Sequence, residues 1–118
     1  MNREKFYMTK QLTPQSIAFS LSGELDLSSA PEMQEELEPY VNQSGRALIL
    51  NFQDLQYIDS TGIGILIQIL KRRTAIGSGF KLIGVSPKIK RLFDITGISQ
   101  YLDLEVAGIP QERKEDIV

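Results

Sequence analysis

Six consecutive residues, Asp59-Ser60-Thr61-Gly62-Ile63-Gly64, bring a carboxylate, two hydroxyls and two glycines together. They stand between a strand-like apolar run, Ala47 to Phe52, and a helix pattern from Ile65 to Ile76. The spacing predicts Ser60 as the last non-helical residue, its hydroxyl beside free backbone N–H groups and the positive end of a helix dipole. Such a hydroxyl can cap the helix, act as a nucleophile or accept a phosphoryl group. Spacing alone favours the cap, since serine is among the preferred N-cap residues, and Asp59 or Thr61 takes that job if the boundary shifts by one. Gly62 and Gly64 permit close backbone approach, or simply let the chain turn into the helix.

Composition narrows the chemistry. The 118 residues contain no histidine and no cysteine. A Ser-His-Asp hydrolase, a typical zinc hydrolase, a cysteine nucleophile and a disulfide framework are therefore excluded. Glu32, Glu35, Glu36 and Glu38 read as a solvated helix face, because no other ligand type is placed to complete a metal site. Gly62-Ile63-Gly64 opens like a dinucleotide fingerprint, but Ile67 stands at the third glycine position and no phosphate-binding G-x-x-x-x-G-K-[ST] loop is present. No catalytic residue, metal or cofactor is expected.

Charge is unevenly spread. Residues 1–59 hold nine acids against four bases, residues 60–93 seven bases and no acid, and residues 94–118 six acids against two bases. The basic middle gives either one positive face, suited to an acidic partner or a phosphate, or a surface whose charges pair with the acidic flanks. It lacks interleaved aromatics, so nucleic acid is not the expected partner. No export signal is visible, and the most apolar stretch, Ile63 to Leu70, is well short of the ~20 residues a membrane span needs. The reading is a soluble cytoplasmic protein that does not bind membranes.

The elements that must position the junction follow from periodicity. Phe6 to Leu12 and Ser16 to Leu25 read as antiparallel strands around a Thr13-Pro14-Gln15 turn, the second with Ile17, Phe19 and Leu21 facing inward. A helix starts near Ser28 or Ser29, either of which can cap it, with Pro31 in its first turn, Met33, Leu37, Tyr40 and Val41 as its buried stripe, and Ser44-Gly45 at its end. Ala47 to Phe52 reads as a strand covered on both faces, with Tyr57-Ile58 a short extended piece after it.

The helix after the junction ends at Gly77. Its Ile63, Leu66, Ile67 and Leu70 form the face for the sheet; Ile65, Ile69 and Ile76 form a second stripe, for a neighbouring helix or for a partner. Phe80 to Val85 is a further strand, followed by a helix opened by Ser86-Pro87, carrying Ile89, Leu92, Phe93 and Ile95 inward and ending at Gly97. Tyr101 to Val106 fits an edge strand or a short helix, and residues 107–118 read as a loose tail. The fold class is α/β, one domain over 1–118, with a mixed sheet of four to five strands, a parallel core and three to four helices.

Taken together, Gly23-Glu24-Leu25-Asp26, Ile49-Leu50-Asn51-Phe52 and above all Asp59-Ser60-Thr61-Gly62-Ile63-Gly64 resemble the STAS-domain family, specifically the bacterial anti-sigma-factor antagonists. Element order extends the resemblance over about residues 5–106; Ile63 stands where leucine is often found. The resemblance implies a regulator that is not an enzyme. Its unphosphorylated form binds an anti-sigma factor that is also a serine kinase and so frees the sigma factor. Phosphorylation of Ser60 switches binding off, and a serine phosphatase resets it. The implied partner-binding residues are Asp59, Ser60, Thr61, Gly62, Ile63, Gly64, Ile65 and Ile69, with the loop from Asp54 to Ile58 beside them and Lys88, Lys90 and Arg91 at the rim. Because a helix N-terminus tolerates anions, the fold is expected to survive the phosphate. Two further functions are open to the same family: a nucleotide site using the N–H groups around Gly62 and Gly64 with Lys71 or Lys88, and a scaffold subunit of a stress-signalling complex.

Overall fold

The computed structural model describes residues 5–108. Its elements are β1 (Tyr7–Leu12), β2 (Ser16–Leu25), α1 (Ala30–Val41), β3 (Ala47–Ile58), α2 (Ser60–Ala75), β4 (Phe80–Val85), α3 (Pro87–Thr96), a 3-10 turn (Ile98–Tyr101) and β5 (Asp103–Val106). The expected tail lies outside the described residues from 109 on; Ala107 still donates to the Val85 carbonyl at 2.7 Å.

The five strands lie side by side in chain order, β1-β2-β3-β4-β5. β1 and β2 pair antiparallel and the remaining neighbours are parallel. Parallel crossovers are right-handed, and strands added always in the same direction therefore put every helix on one face. Ring contacts from both flanking helices agree: Tyr40 of α1 stands edge-on to Phe19 at 5.7 Å, and Phe93 of α3 meets Phe52 at 6.4 Å. Along β2, β3 and β4 the residues on that face, among them Ile17, Phe19, Leu48, Leu50 and Leu82, are fully buried. Ala18, Ile49, Asn51 and Ile83 on the other face are half-covered. The expectation of a central strand buried on both faces is thus corrected: sequential strand order leaves no helix for the second face.

Helix boundaries follow their caps. Ser86 Oγ accepts from Ile89 N at 3.1 Å, Pro87 occupies the first turn of α3, and Gly97 closes it at φ 83°. Ser29 holds the cap position of α1, but its hydroxyl makes no capping bond; it accepts from Asp26 N and donates to the Glu24 carbonyl, both at 2.9 Å. Ile95, expected inward, is exposed, since α3 buries only Ile89 and Phe93.

Arg73 ties the far ends of these elements together. Fully buried, it donates to the carbonyls of Val41, Gln43, Arg46 and Gly79, which closes the C-terminus of α1, the start of β3 and the approach to β4. Burial pushes its guanidinium below the usual arginine value.

Candidate functional site

Every helix begins where a parallel strand ends, so the N-termini of α1, α2 and α3 gather at the carboxyl end of the sheet, the usual place for sites in α/β proteins. The Asp59–Gly64 junction is at the centre of that end. β3 carries it there, because it is one continuous strand of twelve residues. Asp54 to Ile58, expected as a loop with only Tyr57-Ile58 extended, is strand throughout and forms its second half. This part pairs with β2 through Ser22↔Asp54, Gly23↔Leu55, Glu24↔Tyr57 and Leu25↔Ile58, and extends past the β4 pairing, which covers only Leu48–Asn51. Asp59 N then donates to the Leu25 carbonyl at 3.2 Å, anchoring the junction to β2.

The cap is Asp59 rather than Ser60. Its backbone is extended, and its Oδ1 accepts from Thr61 N at 2.9 Å and from Gly62 N at 3.2 Å, while its carbonyl accepts from Ile63 N at 3.0 Å. A carboxylate makes stronger charge-assisted bonds to backbone N–H groups than a hydroxyl does, which explains why the boundary settles one residue early. Ser60 is the first helical residue and exposed, and its hydroxyl has no hydrogen-bond partner among the described residues. Thr61 beside it is half-buried.

The glycines differ in kind. A Cβ on Gly62 would lie 2.7 Å from Ile58 Cγ1 and 2.9 Å from Leu25 Cγ, so Gly62 lets α2 close on the ends of β2 and β3. A Cβ on Gly64 would meet nothing within 4 Å.

The two apolar stripes of α2 form one buried arc. Gly62, Ile63, Ile65, Leu66, Ile69 and Arg73 are buried, whereas Ile67 and Leu70 are half-exposed. At ~100° per residue the buried arc spans about 160° and is shared by the sheet and α1. Ile65 and Ile69, only 6% and 4% exposed, line the seam with Leu37 and Val41 around a cavity of about 50 Å³. Arg72 and Glu38 close its rim at 2.9 Å. As partner contacts Ile65 and Ile69 are therefore corrected, because α1 already covers them. Ile63 is buried as well. The outward face of α2 instead runs Ser60, Gly64, Gln68, Lys71 at helical spacing.

A recess of about 660 Å³ adjoins Ser60, lined by Asp26, Leu27, Ser28, Tyr57 and Asp59. Tyr57 falls in the Asp54 to Ile58 stretch expected beside the site, whereas Leu27 is absent from the residues expected from sequence; the signal for it was the neighbouring Gly23-Glu24-Leu25-Asp26 segment, which ends at this loop.

Three of the seven bases of the basic middle are paired with acids among the described residues. Arg72 pairs with Glu38, Lys81 with Glu105 and Lys90 with Asp94, and Arg73 is buried. Lys88 and Arg91, exposed near the start of α3, form no ion pair among the described residues.

The groups named for nucleotide binding do not converge. The N–H groups of Thr61 and Gly62 are taken by a carboxylate, which repels a phosphate. Lys71 lies ~16 Å along α2 from Ser60 at 1.5 Å per residue, in a separate apolar groove of about 640 Å³ with Ile67, Ala75, Ile98 and Tyr101. Among the described residues no cluster of potential metal ligands occurs, and no helix is long and apolar enough to cross a membrane.

Comparison with known proteins places this geometry. The STAS-domain family model matches residues 7–108. The chain is 38% identical over 88 residues to the anti-sigma-B factor antagonist of Bacillus subtilis, covering 75% of this chain and 80% of that one. Its fold is similar to an anti-sigma factor antagonist from Mycobacterium paratuberculosis, with a TM-score of 0.77 at 19% identity over 96% of this chain and 94% of that one. It is also similar to phosphorylated SpoIIAA of Bacillus, with a TM-score of 0.65 at 21% identity over 96% and 98% of the two chains.

Proposed function

The chain belongs to the STAS-domain family, and on that premise we propose that it is an anti-sigma-factor antagonist switched by phosphorylation of Ser60. Unmodified, it binds an anti-sigma factor through the carboxyl end of its sheet and so releases the sigma factor. The anti-sigma factor is also the kinase. Ser60 Oγ attacks the γ-phosphorus of kinase-bound ATP, ADP leaves, and the hydroxyl proton passes to a base on the kinase. A phosphatase restores the hydroxyl by hydrolysis. The antagonist supplies a substrate and a surface but no catalytic group, and it acts in the cytoplasm, where sigma factors are.

One observation carries this reading: Asp59 takes the cap and so leaves the Ser60 hydroxyl exposed at the first turn of α2, with no hydrogen-bond partner among the described residues. A phosphate of about −1.5 to −2 charges there stands beside the Asp59 carboxylate at the centre of the binding surface, where an unpaired dianion is costly to desolvate. Asp59, Thr61 and Gly64 border the contact, with Lys88 and Arg91 at its rim. Gly62 and Ile63 support it from beneath. The name of the Bacillus subtilis relative supports the choice of partner, and phosphorylated SpoIIAA supports the compatibility of this fold with the modification. No feature of the site favours a nucleotide or a scaffold role.

The test is incubation with the cognate anti-sigma factor and ATP, with phosphate mapped by mass spectrometry in wild type, Ser60→Ala and Thr61→Ala. Phosphate on Ser60 that is lost only in Ser60→Ala, with binding lost on modification, is the expected result. An active kinase that leaves the chain unmodified, or that modifies Thr61 instead, refutes the assignment.

A further inference from the structure

We propose that Leu27, with Tyr57 across the recess, is a preformed apolar anchor for the anti-sigma factor, separate from the phosphorylated group itself. The inference rests on the antagonist reading and specifies how its partner is held.

The β2–α1 loop is built with its polar groups turned in and its apolar side chain turned out. Asp26, buried, accepts through Oδ1 from Ser28 N at 3.0 Å, Ser28 Oγ at 2.8 Å and Ser29 N at 3.1 Å. Buried Ser29 closes the loop from the other side through Asp26 N and the Glu24 carbonyl. Between these two pinned residues Leu27 is 74% exposed. Tyr57, 44% exposed, comes from the last turn of strand before Asp59, so the two apolar side chains flank a recess whose other walls include Asp59. A large side chain on a loop that is already ordered loses little freedom when a partner covers it, which is the property of binding hot spots. Asp59 joins the recess to the Ser60 junction, and the walls are mixed: Leu27 and Tyr57 offer apolar contact beside the polar Asp26, Ser28 and Asp59, so the occupant is an amphipathic segment of the anti-sigma factor that sets an apolar side chain against Leu27.

An anchor of this kind contributes to docking but not to phosphoryl transfer. Binding of the unphosphorylated chain to its cognate anti-sigma factor is measured by calorimetry for wild type, Leu27→Ala, Leu27→Met and Tyr57→Ala, with melting temperatures as controls. Steady-state phosphorylation is measured on the same proteins. Leu27→Ala should weaken binding about tenfold or more, raise KM for the antagonist with kcat retained, and leave the melting temperature unchanged. Leu27→Met should restore most of the affinity. Wild-type affinity and KM in both Leu27→Ala and Tyr57→Ala would overturn the anchor while the antagonist reading stands. Failure of the wild type to bind or to be phosphorylated would overturn both.

Discussion

Substituting alanine at Gly62 and at Gly64 should have opposite effects on stability, and only the second should act directly on binding. In a helix interior glycine is worse than alanine by about 1 kcal/mol. Neither residue has a positive φ, so both can adopt the alanine backbone. At Gly64 the new methyl meets nothing within 4 Å, so the propensity gain of about 0.5–1 kcal/mol is realised and the melting temperature should rise by about 2–6 °C. At Gly62 the methyl meets Ile58 Cγ1 at 2.7 Å and Leu25 Cδ2 at 3.0 Å. Overpacking of about 1–3 kcal/mol outweighs the same gain and leaves a net loss near ~1 kcal/mol. Gly64 lies one turn beyond Ser60 in the middle of the outward face of α2. A partner packed there against the bare backbone is displaced by the methyl, at a cost of about 1–3 kcal/mol, or roughly five- to a hundredfold in affinity. Circular-dichroism melts and calorimetric titration with the anti-sigma factor read the two effects separately. A more stable Gly64→Ala protein with unchanged affinity would show that the partner does not approach α2 at this point. A less stable one would show that the geometric assignment of Gly64 to the surface is wrong.

Phosphorylation of Ser60 should lower the melting temperature by a few degrees, contrary to the expectation from helix-dipole attraction alone. Asp59 already holds the N–H groups of Thr61 and Gly62, so the phosphate meets a carboxylate at about 6 Å, and ~1–2 kcal/mol of repulsion at low salt shrinks as salt screens it. Asp59→Asn should abolish the difference between the two forms. Arg73→Leu removes the guanidinium donors from the carbonyls of Val41, Gln43 and Arg46, while Gly79 keeps its bond from Leu48 N, and should cost about 3 kcal/mol or more, read as a shift of the urea midpoint. The Arg72 guanidinium holds the Glu38 carboxyl below its usual range. The contribution of that pair is present at neutral pH and lost as pH falls through the lowered value, so Glu38→Gln should differ from wild type at about pH 7 and converge with it once the pH lies below that lowered value.

Periodicity was enough for most elements because their patterns and end signals agree. Ser16 to Leu25 alternates without a break, Ser86-Pro87 and Gly97 bracket α3, and Gly77 follows α2. It failed where packing outside the element decides. Nothing local distinguishes a cap at Ser60 from one at Asp59, because both side chains can accept from the same N–H groups; the Asp59 N to Leu25 carbonyl bond, which depends on strand pairing, helps to place the boundary. From sequence Arg73 is only one more base of residues 60–93, because the partners that bury it are backbone carbonyls from other segments. The outward orientation of Leu27 was equally hidden: a leucine after Asp26 reads as core unless the bonds that turn Asp26 and Ser29 inward are known.

Strand order also decides what kind of ligand this end of the molecule can take. A doubly wound sheet reverses direction at a switch point, where two crossovers leave on opposite faces and open a crevice for a nucleotide. Here order never reverses, so the three helix N-termini stand in a row on one face and no such crevice opens between crossovers on opposite faces. What remains at the carboxyl end is a broad surface with a shallow recess, carrying the exposed Ser60 hydroxyl, the Asp59 carboxylate and the Leu27 and Tyr57 side chains. A small molecule would gain little enclosure there, whereas a protein surface can cover all of it at once, and a single phosphate near its centre then changes the whole contact.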